Sequence, residues 1–371
     1  MKRFILSTIL LLIFSAVMQD ACAQTENNFV KIGSANVAIH IDYDSISSDE
    51  PSVEVFGFPL LDNIIAGRVN YPEHPVKFTK RDAGTWVADV PMELLWKNNV
   101  LLRINTHNGN RHATLGIGLD QRSPLSIDVT LAKDGSVESG TSRGGTGDVD
   151  WQGNYLNIYE NLFYRHNWNT PKEAFTDCML YRQYRLEQMQ QSIAAMLDEV
   201  KINECQRAWA INEMKRRWYS AYLMEFEAFA RRDGGDSITV KAPPMEYYSF
   251  LVDLDYSPLI LDEMIPDLRE LTNKILRLLP TELQSIGETP IADWQKNVAG
   301  ELSRAIPNPP QMLLDLLTAT SYLRQIQTER EPLSELQQLN ISNFYEDNDL
   351  GKVILARNID PYPANLIIEY N

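Results

Sequence analysis

The sequence is poor in cysteine, histidine and positive charge, and it holds only one long apolar run. Three cysteines and five histidines in 371 residues leave few thiolates and imidazoles for redox or metal chemistry. No CxxC, HExxH or EF-hand pattern is present, so the local signatures of thiol–disulfide exchange, zinc hydrolysis and calcium loops are missing. Thirty-four Lys and Arg stand against 50 Asp and Glu, a formal charge of −16. Nucleic acid needs a basic footprint, so it is an unsuitable partner. The acid excess gathers from Asp233 onward and reads as a solvated surface.

The one long apolar run stands at the start. Lys2 and Arg3 give a positive beginning, Phe4 to Met18 is almost unbroken apolar sequence, and Ala21-Cys22-Ala23 supplies small residues. These are the three parts of a secretory signal peptide, residues 1–23, with cleavage after Ala23. The run falls short of the ~20 residues that span a bilayer. The expectation is an exported chain from Gln24 to Asn371, in the periplasm or cell envelope, without a transmembrane span. Cys22 leaves lipid anchoring open. A bacterial lipoprotein signal has an aliphatic residue three positions earlier, where this chain has Gln19, so cleavage after Ala23 is favoured. Mass spectrometry of the mature N-terminus separates the two.

Cleavage leaves Cys178 and Cys205. An oxidising compartment permits a disulfide, but both lie in helical sequence. In one helix they sit about 40 Å apart, and a turn near Lys201–Asn203 puts them at opposite ends of an arm. A disulfide requires Cα atoms within about 7 Å. Two free, mostly buried thiols are expected.

The fold class reads as α+β: an N-terminal antiparallel β-sandwich over 24–138, then a helical domain with a long hairpin. Val37, Ile39 and Ile41 alternate with polar or small residues, the period of a half-buried strand. Similar runs are Val53–Phe58, Ile64–Asn70, Val76–Lys80, Trp86–Val90, Val100–Thr106, Thr114–Leu119 and Leu125–Leu131. Asp82-Ala83-Gly84, Asn108-Gly109-Asn110 and Asp134-Gly135 supply turns. Residues 139–169 read as a Gly-rich linker and an aromatic connection. Ser139–Gly147 lacks the Lys-Ser/Thr ending of a phosphate loop, so the linker reading is favoured.

Residues 170–235 read as a helical hairpin. Thr170, Pro171 and Glu173 form a start signal. The first arm's stripe is Phe175, Met179, Leu186, Met189, Ile193, Met196 and Val200. The second is Cys205, Trp209, Met214, Trp218, Leu223, Phe226 and Ala230, ended by Gly234-Gly235. Residues 236–371 read as short helices over Pro244–Val252, Pro258–Leu279, Pro290–Ala305, Pro310–Thr328, Leu333–Leu339 and Phe344–Asn358, then a strand-like tail.

No residue set assembles for catalysis, cofactor binding or metal binding. Of the histidines, His107 and His112 flank a turn, but the carboxylate or thiolate that would complete a metal site is not evident nearby. Asp253 and Asp255 alternate without the glycine and further oxygen ligands of a calcium loop. Two aromatic clusters, Tyr155 to Trp168 and Tyr247 to Phe250, fit either a sugar or peptide platform or packing between sandwich and helices. Packing is favoured.

Three stretches carry a resemblance: Met245-Glu-Tyr-Tyr-Ser-Phe-Leu-Val-Asp-Leu-Asp, Glu331-Pro-Leu-Ser-Glu-Leu-Gln-Gln-Leu and Asp349-Leu-Gly-Lys-Val-Ile-Leu-Ala-Arg-Asn. With the layout, they make residues 28–358 resemble the N-terminal, pre-thioredoxin region of TlpA-like thiol–disulfide oxidoreductases of the Bacteroidetes group. The resemblance implies a thioredoxin domain with a CxxC motif beyond this region. The chain has no such motif, so no redox residue carries over. The expectation is an exported, non-catalytic accessory or binding module with an envelope protein as partner. Alternatives are an oxidoreductase whose redox domain is missing from this chain or supplied in trans, and a carbohydrate-binding protein of a nutrient-uptake system.

Overall fold

The computed structural model describes residues 30–43, 51–56, 75–106, 111–132, 135–145, 149–150, 178–199, 211, 215, 219, 245–253, 267–346 and 348–361. The first part of the chain forms two sheets. The strands are β1 (Val30–Asp42), β2 (Ser52–Phe56), β3 (Val76–Lys77), β4 (Thr79–Asp82), β5 (Thr85–Leu94), β6 (Trp96–Thr106), β7 (Arg111–Asp120), β8 (Leu125–Leu131), β9 (Val137–Gly144) and β10 (Val149–Asp150). One sheet has the order β10-β9-β8-β1-β5-β4, the other β3-β2-β6-β7. Pairing is antiparallel except at one seam, where β1 and β8 run parallel.

Period-two alternation builds the core between the sheets. Val37, Ile39 and Ile41 of β1 and Ile127 and Val129 of β8 face Val53 and Val55 of β2, Leu102 and Ile104 of β6, and Leu115 and Ile117 of β7. Each fully buried aliphatic side chain contributes about 1.5–3 kcal/mol. The stretch read as one strand over Val76–Lys80 is two. Val76–Lys77 pairs with β2, and Thr79–Asp82 pairs with β5 in the other sheet. The chain crosses at Phe78, which is buried between them and donates its N–H to the Val53 carbonyl at 3.0 Å.

The Gly-rich stretch Ser139–Gly147 is corrected from linker to strand over its first part. Residues up to Gly144 continue β9 against β8, and β10 pairs onto β9. The glycines permit close approach of backbones here. Gly144 has φ +84° and Gly145 φ +58°, and a Cβ on either would collide with the carbonyl oxygen of Pro124 or Gly118 respectively. Composition alone reads such glycines as freedom; here they are contact.

The helices are α1 (Cys178–Glu199), α2 (Asp267–Leu278), α3 (Ile291–Leu302), α4 (Gln311–Leu323), α5 (Glu335–Tyr345) and α6 (Asp349–Ile359). A π turn, Arg324–Glu329, prolongs α4. Met245–Asp253 is a run of 3-10 turns, where an α-helix was expected. The break expected between the helices Leu333–Leu339 and Phe344–Asn358 lies further along, since α5 runs on to Tyr345. Glu346, at φ 43°, ends α5, and Asn348 restarts the chain by accepting the Leu350 N–H at 2.9 Å. Helix α5 begins with a capping box between Ser334 and Gln337.

On α1 the buried face is Tyr181, Arg185, Met189 and Ile193. Met179, placed in the apolar stripe by its spacing, is exposed. Ile211, Lys215 and Tyr219 are helical, and Tyr219 is buried against Phe250. The expected hairpin turn, the strand Ile64–Asn70, the aromatic cluster from Tyr155 to Trp168 and the strand-like tail lie outside the described residues. No helix among the described residues is long and apolar enough to cross a membrane.

Candidate functional site at the junction of sandwich and helices

Strands β1 and β5 serve two cores. Their inner residues belong to the sandwich, but their last rung, Val30 opposite Leu94, is buried among Tyr247, Phe250, Leu271, Leu317 and Val353 of the helical core. The ladder slips between Val30 and Gly33. This irregularity leaves the backbone of Lys31 and Ile32 without cross-strand partners.

Side chains from elsewhere fill those places. Asp349, in the first turn of α6, accepts the Ile32 N–H at 3.0 Å. Gln121 donates its side-chain amide to the carbonyls of Lys31 at 2.6 Å and Leu94 at 2.9 Å. Lys352 Nζ lies 3.1 Å from the other Asp349 oxygen, and Lys31 Nζ is 3.7 Å away. Burial opposes the Asp349 charge. The Ile32 N–H and Lys352, with Lys31, outweigh it and hold this carboxyl below the usual carboxylate range.

One turn pair further along α6, Arg357 closes the joint. Its Nη2 donates to both oxygens of Glu93, at 2.6 and 2.7 Å. The two side chains are 0% and 1% exposed. Glu93 sits on the outer face of β5, where Asp89 is exposed and Pro91 half-covered. The face passes from solvent into the helical layer within four residues, so the last acid on it must be paired. Removing one partner of such a pair leaves a buried charge alone, at a cost of about 3–5 kcal/mol.

These groups are committed to holding the two parts together. The charged atoms of Glu93 and Arg357 are sealed from water, and Asp349 is spent on a backbone N–H and two lysines. The arrangement is a clasp between sandwich and helices.

The other candidates read from sequence are placed as follows. His112 lies in β7 opposite Asn105, and His107 is outside the described residues. Asp253 ends the 3-10 segment, where its carbonyl accepts Lys215 Nζ at 3.5 Å; Asp255 is outside the described residues. Cys178 starts α1 as a free, half-buried thiol, and Cys205 is outside the described residues. Tyr247, Tyr248, Phe250 and Leu251 are buried, with Tyr247 edge-on to Tyr248 and Phe250. This cluster packs and presents no open aromatic face. Among the described residues, no group of three His, Cys, Asp or Glu side chains converges to hold a metal.

Sequence reasoning missed Glu93, Arg357 and a buried acid on α4, Asp315. The signals were acids embedded in apolar runs, Met92-Glu93-Leu94 and Leu314-Asp315-Leu316. No known protein family, curated protein or solved structure matches this chain.

Proposed function

We infer that the chain is an exported, non-catalytic accessory or binding module, similar in plan to the region that precedes the thioredoxin domain in TlpA-like oxidoreductases. One observation supports this reading. The three stretches that carry the resemblance all do structural tasks here. Met245–Asp253 buries four side chains in the helical core, Ser334 and Gln337 cap α5, and Asp349 and Arg357 clasp α6 to the sandwich. The likeness is therefore one of scaffold. A scaffold whose two parts are fastened by buried groups presents preorganised surfaces, which lowers the ordering cost of binding a protein partner.

Two assays on the purified full chain test the reading. In an insulin-reduction assay it should show no activity above buffer. In a pull-down from envelope extract it should recover one partner reproducibly, and that partner should rebind after purification. Insulin reduction that disappears in the Cys178→Ser, Cys205→Ser double variant would overturn the non-catalytic assignment. Repeated recovery of nothing beyond control bait would remove the binding assignment.

A further inference from the structure

The helical layer holds one acid that the clasp does not use. Asp315 stands in the second turn of α4 and is 7% exposed. Its Oδ1 accepts three hydrogen bonds, from Gln295 Nε2 at 3.1 Å, Gln311 Nε2 at 3.1 Å and the Tyr345 hydroxyl at 3.3 Å. Gln311 Nε2 also reaches Gln295 Oε1 at 3.0 Å, and Gln295 Nε2 reaches Thr318 Oγ1 at 2.9 Å. Helices α3, α4 and α5 thus converge on a single carboxylate oxygen, and every donor is uncharged.

No charged side chain is among the groups that act on Asp315. On α6, Arg357 is bound to Glu93, and Asp349 to Ile32, Lys31 and Lys352. Asp293 and Lys296 of α3 and Arg277 of α2 are exposed, and Lys274 of α2 is half-buried. The groups that act on Asp315 are Gln295, Gln311 and Tyr345. The titratable neighbours are two tyrosines. Burial, with Asp315 beside it, keeps the Tyr345 hydroxyl protonated, and burial does the same for Tyr322. Asp315 is the one member of the cluster that changes charge on the acid side of neutrality.

An ionised carboxylate without a counter-ion is costly in such a place. We propose that the Asp315 cluster is an acid sensor built into the helical layer: α3, α4 and α5 pack most tightly when this carboxyl carries its proton and loosen when it ionises. Burial pushes the Asp315 carboxyl up from its usual value of 3.8, and the three hydrogen bonds offset only part of that. The sign follows. The protonated form's stabilisation is fully present below the unfolded value and is lost as pH rises through the higher folded value. This inference does not depend on the binding-module reading.

Urea unfolding of the full chain, followed by helical circular dichroism from about pH 4 to about pH 8, compares wild type with Asp315→Asn. Asparagine keeps an accepting oxygen for the three donors and puts a neutral NH₂ where the second carboxylate oxygen stands. As pH rises, the unfolding constant of wild type should grow relative to the variant by up to about tenfold per pH unit within the window. Tyr345→Phe removes one donor from the ionised form and should move that window to higher pH. The carbon NMR signal of the Asp315 carboxyl in wild type reads the proton directly, whether or not the variants fold. Parallel stability curves for wild type and Asp315→Asn, or a carboxyl signal that titrates in the ordinary aspartate range, would overturn the proposal.

Discussion

Tyr322 is buried on α4, and its hydroxyl has no hydrogen-bond partner among the described residues. A buried hydroxyl left unpaired costs about 1–3 kcal/mol. Tyr322→Phe should therefore stabilise the protein by about 1 kcal/mol, seen as a higher urea midpoint at unchanged slope. An unchanged or lower midpoint would mean that the hydroxyl is satisfied after all. Asp349 behaves in the opposite sense from Asp315. Its carboxyl is held below its unfolded value, so its contribution is present above that value and is lost as pH falls through the folded one. Asp349→Asn should flatten the acid limb of the stability curve. The two acids then pull in different directions on acidification, one loosening the clasp and the other tightening the helices.

Glycines at the ends of elements divide by what surrounds them. Gly144 combines a positive φ with a backbone oxygen where a Cβ would go. Gly144→Ala should cost at least about 2 kcal/mol. Gly287 also has a positive φ, 54°, but open space around it, and Gly287→Ala should cost about 1 kcal/mol. Thermal melts of the two variants should rank them in that order. The pair shows what was legible in the sequence. Alternation located β1, β2, β5, β6, β7 and β8 because one face of each is buried. Proline and cap signals located α3 and α4. The strand β9 was hidden, because its residues are chosen for backbone approach and carry little apolar pattern. The break between α5 and α6 was read a few residues too early, since Glu346, at φ 43° and ψ −108°, adopts a backbone conformation that residue type does not announce. The pairing in the clasp was not legible. Glu93 and Arg357 are 264 positions apart; the apolar neighbours of Glu93 hint at its burial, but nothing local names its partner.

At the scale of the molecule, the joint sets cooperativity. Glu93 and Arg357 connect two cores that share the β1–β5 ladder. Arg357→Ala should cost about 3–5 kcal/mol, because it strands the Glu93 charge. It should also separate one unfolding transition into two, with the sandwich and the helices melting apart. Replacing both partners by apolar residues, Glu93→Leu with Arg357→Met, should restore most of that loss. Calorimetry distinguishes these outcomes, and a single undiminished transition in Arg357→Ala would show that the pair does not couple the two parts.

The hydrogen bond from Ile32 to Asp349 joins positions 317 residues apart, the first described strand to the last described helix. That separation makes the joint a late event. As the chain is synthesised, the slipped rung of β1 and the acid of β5 come out first, and Arg357 of the helix that satisfies them follows 264 positions after Glu93. Contacts so distant in sequence form slowly, because loop closure precedes their reward. Until that helix arrives the chain carries an unfinished seam, and the order of arrival itself keeps the two parts from locking before both are present.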